Sequence, residues 1–232
     1  MAYPVLNAYQ AKVSQIIQDA DEELALADRD AFIAEAVDMH PKNRPQVKVL
    51  EVTGTGDYLY DLPVDWEEGF SEIESIEYPA SGLDFNPQVP SILDQVRYMI
   101  YQGATKKQIR FLYDTPGATE TFLLTYNLRH SVDESAGTIP DADFNAVCNL
   151  AGALCCFALG RKLTEESGGA SMAVRDQTWR SVLRYSEKGK ELMALYNAHM
   201  GLNDDNIAAS VSGTWQSGPS WQAGWTFFRR RV

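Results

Sequence analysis

Apolar positions set a helical rhythm at the start of the chain. Val5, Tyr9, Val13, Ile16 and Ile17 recur at three-to-four spacing and form one stripe. A second helix follows in the same 5–40 stretch, carrying Phe32, Ile33, Ala36 and Val37. Asp28 is expected to cap it, Asp30 to support its first turn, and Pro41 and Pro45 to stop it. From Gln46 the period changes to two, and Val47 to Val52 reads as a strand of β-branched character. The turn Gly54-Thr55-Gly56-Asp57 then predicts a hairpin whose returning strand is Tyr58 to Leu62. Ser71–Tyr78, Val96–Gln102, Gln108–Tyr113 and Thr121–Tyr126 supply further strands, separated by a Pro/Gly-rich connection over 79–92. Thr138-Ile139-Pro140-Asp141 opens a third helix, with Asp141 and Asp143 at its positive end. Phe144 to Leu163 is apolar almost all round, which marks the central helix of the fold. Gly168-Gly169 separates it from a fourth helix ending near Met200. There Met172, Trp179, Met193 and Met200 share a seven-residue register beside Val182 and Tyr196, and Gly201 is placed to cap the end.

These elements predict an α+β fold, a bundle of four main helices with an inserted, mostly antiparallel β-domain of five to six strands. The expected divisions are 1–45 for the N-terminal helices, 46–130 for the β-domain, 131–200 for the long helices and 201–232 for an extended arm. The arm has no sustained period, yet it holds Trp215, Trp221 and Trp225, three of the chain's five tryptophans. Phe227, Phe228, Arg229, Arg230 and Arg231 follow, after a spacer rich in Gly and Ser. Large aromatics and arginine are the residue types that most often anchor interfaces, so these eight residues are the candidate set for binding a neighbouring protein. Folding back onto the chain's own body, or nucleic acid for the arginines, are the alternatives.

Charge sharpens the contrast between arm and body. The net charge is −12, and residues 206–232 carry three arginines and no carboxylate, which leaves −15 on residues 1–205. Such a body does not suit gripping nucleic acid; it suits a surface that DNA passes without being held and, equally, a protein kept soluble by its charge. No apolar run is expected to reach the roughly 18–20 residues of a membrane span, and Met1-Ala2-Tyr3-Pro4 lacks a signal-peptide pattern. Cys148, Cys155 and Cys156 are odd in number and lack Cys-x-x-Cys spacing, so they read as small buried thiols.

No arrangement of residues announces catalysis. His40, His130 and His199 are scattered over different elements with no His-x-x-x-His pair, so no metal site is expected. No cofactor motif is present, because Gly54-Thr55-Gly56-Asp57 lacks the Gly-Lys-Ser/Thr end of a phosphate loop. Asp61, Asp65, Asp133 and Glu134 are loop carboxylates, Glu165-Glu166 solvates a helix end, and no serine lies in Gly-x-Ser-x-Gly. The chain is therefore expected not to be an enzyme.

Several loose stretches resemble the head-to-tail adaptor (connector) proteins of tailed bacteriophages. They are Ile16-Ile17-Gln18-Asp19, Asp30 to Val37 with Arg44-Pro45, Tyr60-Asp61-Leu62-Pro63 with Trp66, Ile76-Glu77-Tyr78-Pro79, Leu124-Thr125-Tyr126 with His130, and Thr138-Ile139-Pro140. The resemblance implies a structural virion protein of the neck, made in the host cytoplasm. It would form a ring of twelve sister subunits below the portal protein, extend the channel for double-stranded DNA without binding it specifically, and seat the tail or stopper proteins. It also implies that the C-terminal arm clamps the portal, which makes the portal or a neighbouring subunit the partner of those eight residues. No membrane enters this picture. A tail-completion or stopper protein is the alternative of the same class, although stoppers are mainly β. A virion-associated cell-wall hydrolase using Asp61, Asp65 or Asp133 is the alternative of a different class.

Overall fold

The computed structural model describes residues 3–18, 24–80, 93, 97–103, 106–166 and 172–202, with the side chains of 166 and 172–177 left aside. Over the described residues the fold is α+β, with four helices and two antiparallel sheets. Helices α1 (Leu6–Ile17) and α2 (Leu26–Met39) come first, followed by a 3-10 turn at His40–Lys42. Six strands come next: β1 (Gln46–Thr53), β2 (Leu59–Asp61), β3 (Ile73–Glu77), β4 (Tyr98–Gln102), β5 (Lys107–Phe111) and β6 (Thr121–Leu128). The long helices α3 (Asp141–Glu166) and α4 (Met172–Met200) complete the described chain.

Helix α3 packs against α1, α2 and α4. Its apolar circumference requires this: Val147, Cys148, Leu150, Ala151, Cys155 and Leu159 are all fully buried, together with Tyr9, Val13 and Ile17 of α1 and Ile33 and Ala36 of α2. By length and hydropathy Asp141–Glu165 does match a membrane span, contrary to the expectation from apolar runs. With most of that helix covered by its neighbours, it serves as a core helix. Gly152 keeps the contact close, because a Cβ there would stand 2.9 Å from Ile16 Cγ2 and 3.4 Å from Leu192 Cδ1. The three cysteines are free and buried as expected, and burial pushes the Cys148 thiol up to about 12 and the Cys156 thiol up to about 11.

The strands form two three-stranded sheets, ordered β1-β6-β3 and β2-β5-β4, whose inner faces share one core. Tyr60, Phe111 and Phe122 meet edge to face at its centre, with ring centroids 5.1–5.4 Å apart. The pairing corrects the expected hairpin. β1 pairs along its whole length with β6, from Gln46 against Leu128 to Thr53 against Thr121, while β2 pairs with β5. The Gly54–Asp57 link crosses between sheets, held by Gly54 N–H on Glu120 O and Gly56 N–H on Pro116 O. Gly54 sits so close to the 116–117 backbone that a Cβ would be 2.3 Å from Gly117 O.

Two helix-level expectations also change. α2 begins before Asp28, with Ala25 at the N-cap and no side-chain cap, so Asp28 acts from within the first turn through the helix dipole. Trp179 is 54% exposed and off the buried stripe of α4, where Leu192 and Tyr196 are buried and Met193 and Met200 pack on the helical core. Over the two heptads from Trp179 to Met193 a straight helix drifts by roughly 40°, enough to rotate the ring off the seam. Gly201 caps α4 as expected: at φ +66°, it donates to Ala198 O while Leu202 N–H donates to Asn197 O, a Schellman pair.

Candidate functional site

The three histidines, distant in sequence, converge where the chain leaves the helices for the strands and returns. His40 stands in the 3-10 turn after α2, His130 just after β6, and His199 in the last turn of α4. Between them lies Asp143 in the first turn of α3, fully buried. Its Oδ1 accepts hydrogen bonds from Arg44 Nη1 at 2.5 Å and from His199 Nε2 at 2.8 Å. Its Oδ2 faces His40 Nε2 at 3.7 Å. Tyr196 Oη accepts from Asn43 Nδ2 at 3.1 Å and lies 3.5 Å from His40 Nδ1. The His40 and His130 rings lie 5.4 Å apart.

Burial dominates the electrostatics. It pushes His40 down to about 4, although Asp143 pulls the other way, and it also lowers His130. For Asp143 burial acts upward, but the hydrogen bonds from Arg44 and His199 prevail and hold the carboxyl below its usual range. His130 Nε2–H donates to Arg44 O at 3.1 Å, and Nδ1 lies 3.2 Å from Thr138 Oγ1. His130 turns to Arg44 O and Thr138 while Asp143 lies between His40 and His199, and among the described residues no group of His, Cys, Asp and Glu is arranged to hold a metal ion. The geometry makes a joint: Arg44 precedes β1 and is fastened to α3 through Asp143, and His130 follows β6 and is fastened to the Arg44 carbonyl.

Arg129 reinforces the joint from outside. It pairs with Asp38 of α2, with Glu67 at 2.9 Å in the β2–β3 connection, and lies over the Phe70 ring at 5.1 Å. Beside it opens a groove of ≈ 300 Å³ with walls of Leu6, Ile33, Val37 and Val132 and with Asp30, Asp38 and His130 along it. Nothing local in the sequence announces this cluster. The available signal was positional, since each histidine stands at or beside the end of an element flanking the insertion.

The residues singled out by sequence fall elsewhere. Trp215, Trp221, Trp225, Phe227, Phe228 and Arg229–Arg231 lie outside the described residues. Asp61 accepts from Lys106 Nζ at 2.5 Å and from Gln108 at 2.9 Å, which lowers its pKa, in a groove of ≈ 480 Å³ that also includes Trp66, Glu68 and Lys107. Lys107 pairs with Glu68 and lowers that carboxyl too. Asp65 is lowered as well: burial works against this, but hydrogen bonds from Lys48 at 2.5 Å and Tyr126 at 2.6 Å outweigh it. Asp133 caps its own turn through the N–H groups of Ser135 and Ala136 and is lowered by them. A general acid needs the opposite shift, and these carboxylates act as ion-pair and turn partners.

No protein-family model matches the chain, and no curated protein matches it. Among solved structures it is similar to a chain of the "Virion of native gene transfer agent (GTA) particle". The identity is 12% over 79% of this chain and 92% of that chain, with a TM-score of 0.28.

Proposed function

We propose that this chain is a structural virion protein, a head-to-tail adaptor. In this reading α1–α4 form a bundle that builds the wall of a ring of sister subunits, the β-domain is its inserted module, and the 201–232 arm docks on the portal protein. The ring extends the DNA channel and seats tail or stopper proteins. The observation that supports this most is the order of elements: two helices, six strands in two sheets, two long helices, then a segment of three tryptophans and three arginines. Helices at both ends of that order favour an adaptor over a stopper, a class that is mainly β.

The surface is compatible with assembly. Trp179 and Leu183, one turn apart on α4, are 54% and 46% exposed, and Leu26 at the start of α2 is 71% exposed. Heterologous contacts between two different faces close into a ring when the rotation between copies closes. The net charge of −15 on residues 1–205 favours a lumen that releases DNA, since each retained phosphate contact would slow its passage. The reading is tested by deleting residues 206–232. The shortened protein is expected to stay soluble and folded by circular dichroism but no longer to co-purify with portal; normal co-purification would overturn the arm's role.

A further inference from the structure

We infer that the aromatic-basic stretch Trp225–Arg231 of this chain seats in the groove between α1, α2 and the 130–132 segment in the free protein. The groove offers ≈ 300 Å³ and apolar walls from Leu6, Ile33, Val37 and Val132. That room matches one or two aromatic rings. Its rim is acidic. Of α2's carboxylates Asp30 and Asp38 line it, and the helix's one cation, Arg29, is turned inward to donate to Ser14 Oγ at 2.6 Å. Among the described residues Asp30 receives the neutral Gln10 amide at 2.9 Å and no cation, so its charge is not cancelled by them. Arg129 offsets Asp38 but is shared with Glu67. His130, at the groove's inner side, is kept neutral by burial and adds no opposing charge.

The occupant is chosen by complementarity. Residues 206–232 hold three tryptophans, two phenylalanines and three arginines with no carboxylate, whereas the body they follow is strongly acidic. Phe227-Phe228-Arg229 places rings beside a guanidinium, the pairing that apolar walls with a carboxylate rim select. The reach is ample, because the chain from Leu202 to Phe228 spans roughly 90 Å when extended. Occupancy is independent of portal as a partner, and its failure leaves the adaptor reading standing.

The test uses the full chain alone, with benzoylphenylalanine at position 228 and photo-crosslinking read by mass spectrometry. Crosslinks are expected on residues 30–38 and 131–132 of the same chain, and crosslinks joining two copies alone would overturn the inference. Ala34→Trp fills the groove from an exposed position, and Asp30→Lys reverses its rim. Each is expected to cut the yield about five-fold or more, while Asp57→Lys on the distant turn leaves it unchanged. Crosslinks mapping elsewhere, or a yield indifferent to Ala34→Trp in a variant with native circular dichroism, would overturn the inference.

Discussion

His40 Nε2 and Asp143 Oδ2 face each other across 3.7 Å inside the joint, both buried and neither hydrogen-bonded to another described group. The gap is too long for a hydrogen bond, so His40 gains little from Asp143 and burial keeps its ring neutral. The joint is therefore built for neutral imidazole at His40.

Its pH dependence follows from the sign of that shift. The folded value of about 4 lies below the ordinary 6.5, so the unfolded chain takes up the proton first. The contribution is complete above 6.5 and is lost as pH falls towards 4, by up to roughly 3 kcal/mol. His130 is shifted in the same direction and adds to the slope. Asp143, held low, loses its contribution only in stronger acid. Urea unfolding between pH 7 and pH 4.5 is expected to show falling stability in the wild type and a flatter profile in His40→Gln. Equal slopes for the two would contradict the assignment.

Asp143 holds two hydrogen bonds from a fully buried position, so Asp143→Ala removes both charge-assisted bonds and leaves a gap at the start of α3. A loss of roughly 3 kcal/mol is expected. Arg44 is half exposed and can turn to solvent, so Arg44→Ala should cost less. The double variant should cost less than the sum of the two, because they share a bond. Chemical denaturation of the four proteins checks this, and strict additivity would argue that the pair is not coupled.

Close packing around α3 gives a third expectation. Gly152→Val pushes methyls against Ile16 and Leu192, from both helices that flank that position. The overpacking should cost about 1–3 kcal/mol, visible as a lower Tm. An unchanged Tm would mean that α1 and α4 stand further from α3 than described.

The helices were legible in the sequence because their signal is local. Apolar spacing from Val5 to Ile17 and the Gly201 cap are properties of neighbouring residues, and both appear where the pattern places them. Sheet partners are not local. The glycine-rich turn at 54–57 favoured β1 against β2, but β6, with Phe122, Leu124, Tyr126 and Leu128 all buried, takes β1 across eight paired positions. The joint was hidden for the same reason. His40, His130, Asp143 and His199 meet only after α2, α3, α4 and β6 have packed, and no spacing in the chain encodes that meeting. The arm's anchors, by contrast, are compositional, and their role rests on the sequence.

If Trp221 and Trp225 anchor the arm, Trp221→Ala and Trp225→Ala should each weaken portal binding by about 2 kcal/mol or more. Sedimentation with portal reads this directly. Equal affinity for variants and wild type would remove these two residues from the interface.

The central claim, that the chain is an adaptor, meets its most direct test in electron microscopy of the purified protein mixed with a portal ring. The account predicts a collar of twelve copies on one face of the portal, coaxial with its channel. Portal rings left bare at saturating protein would contradict it.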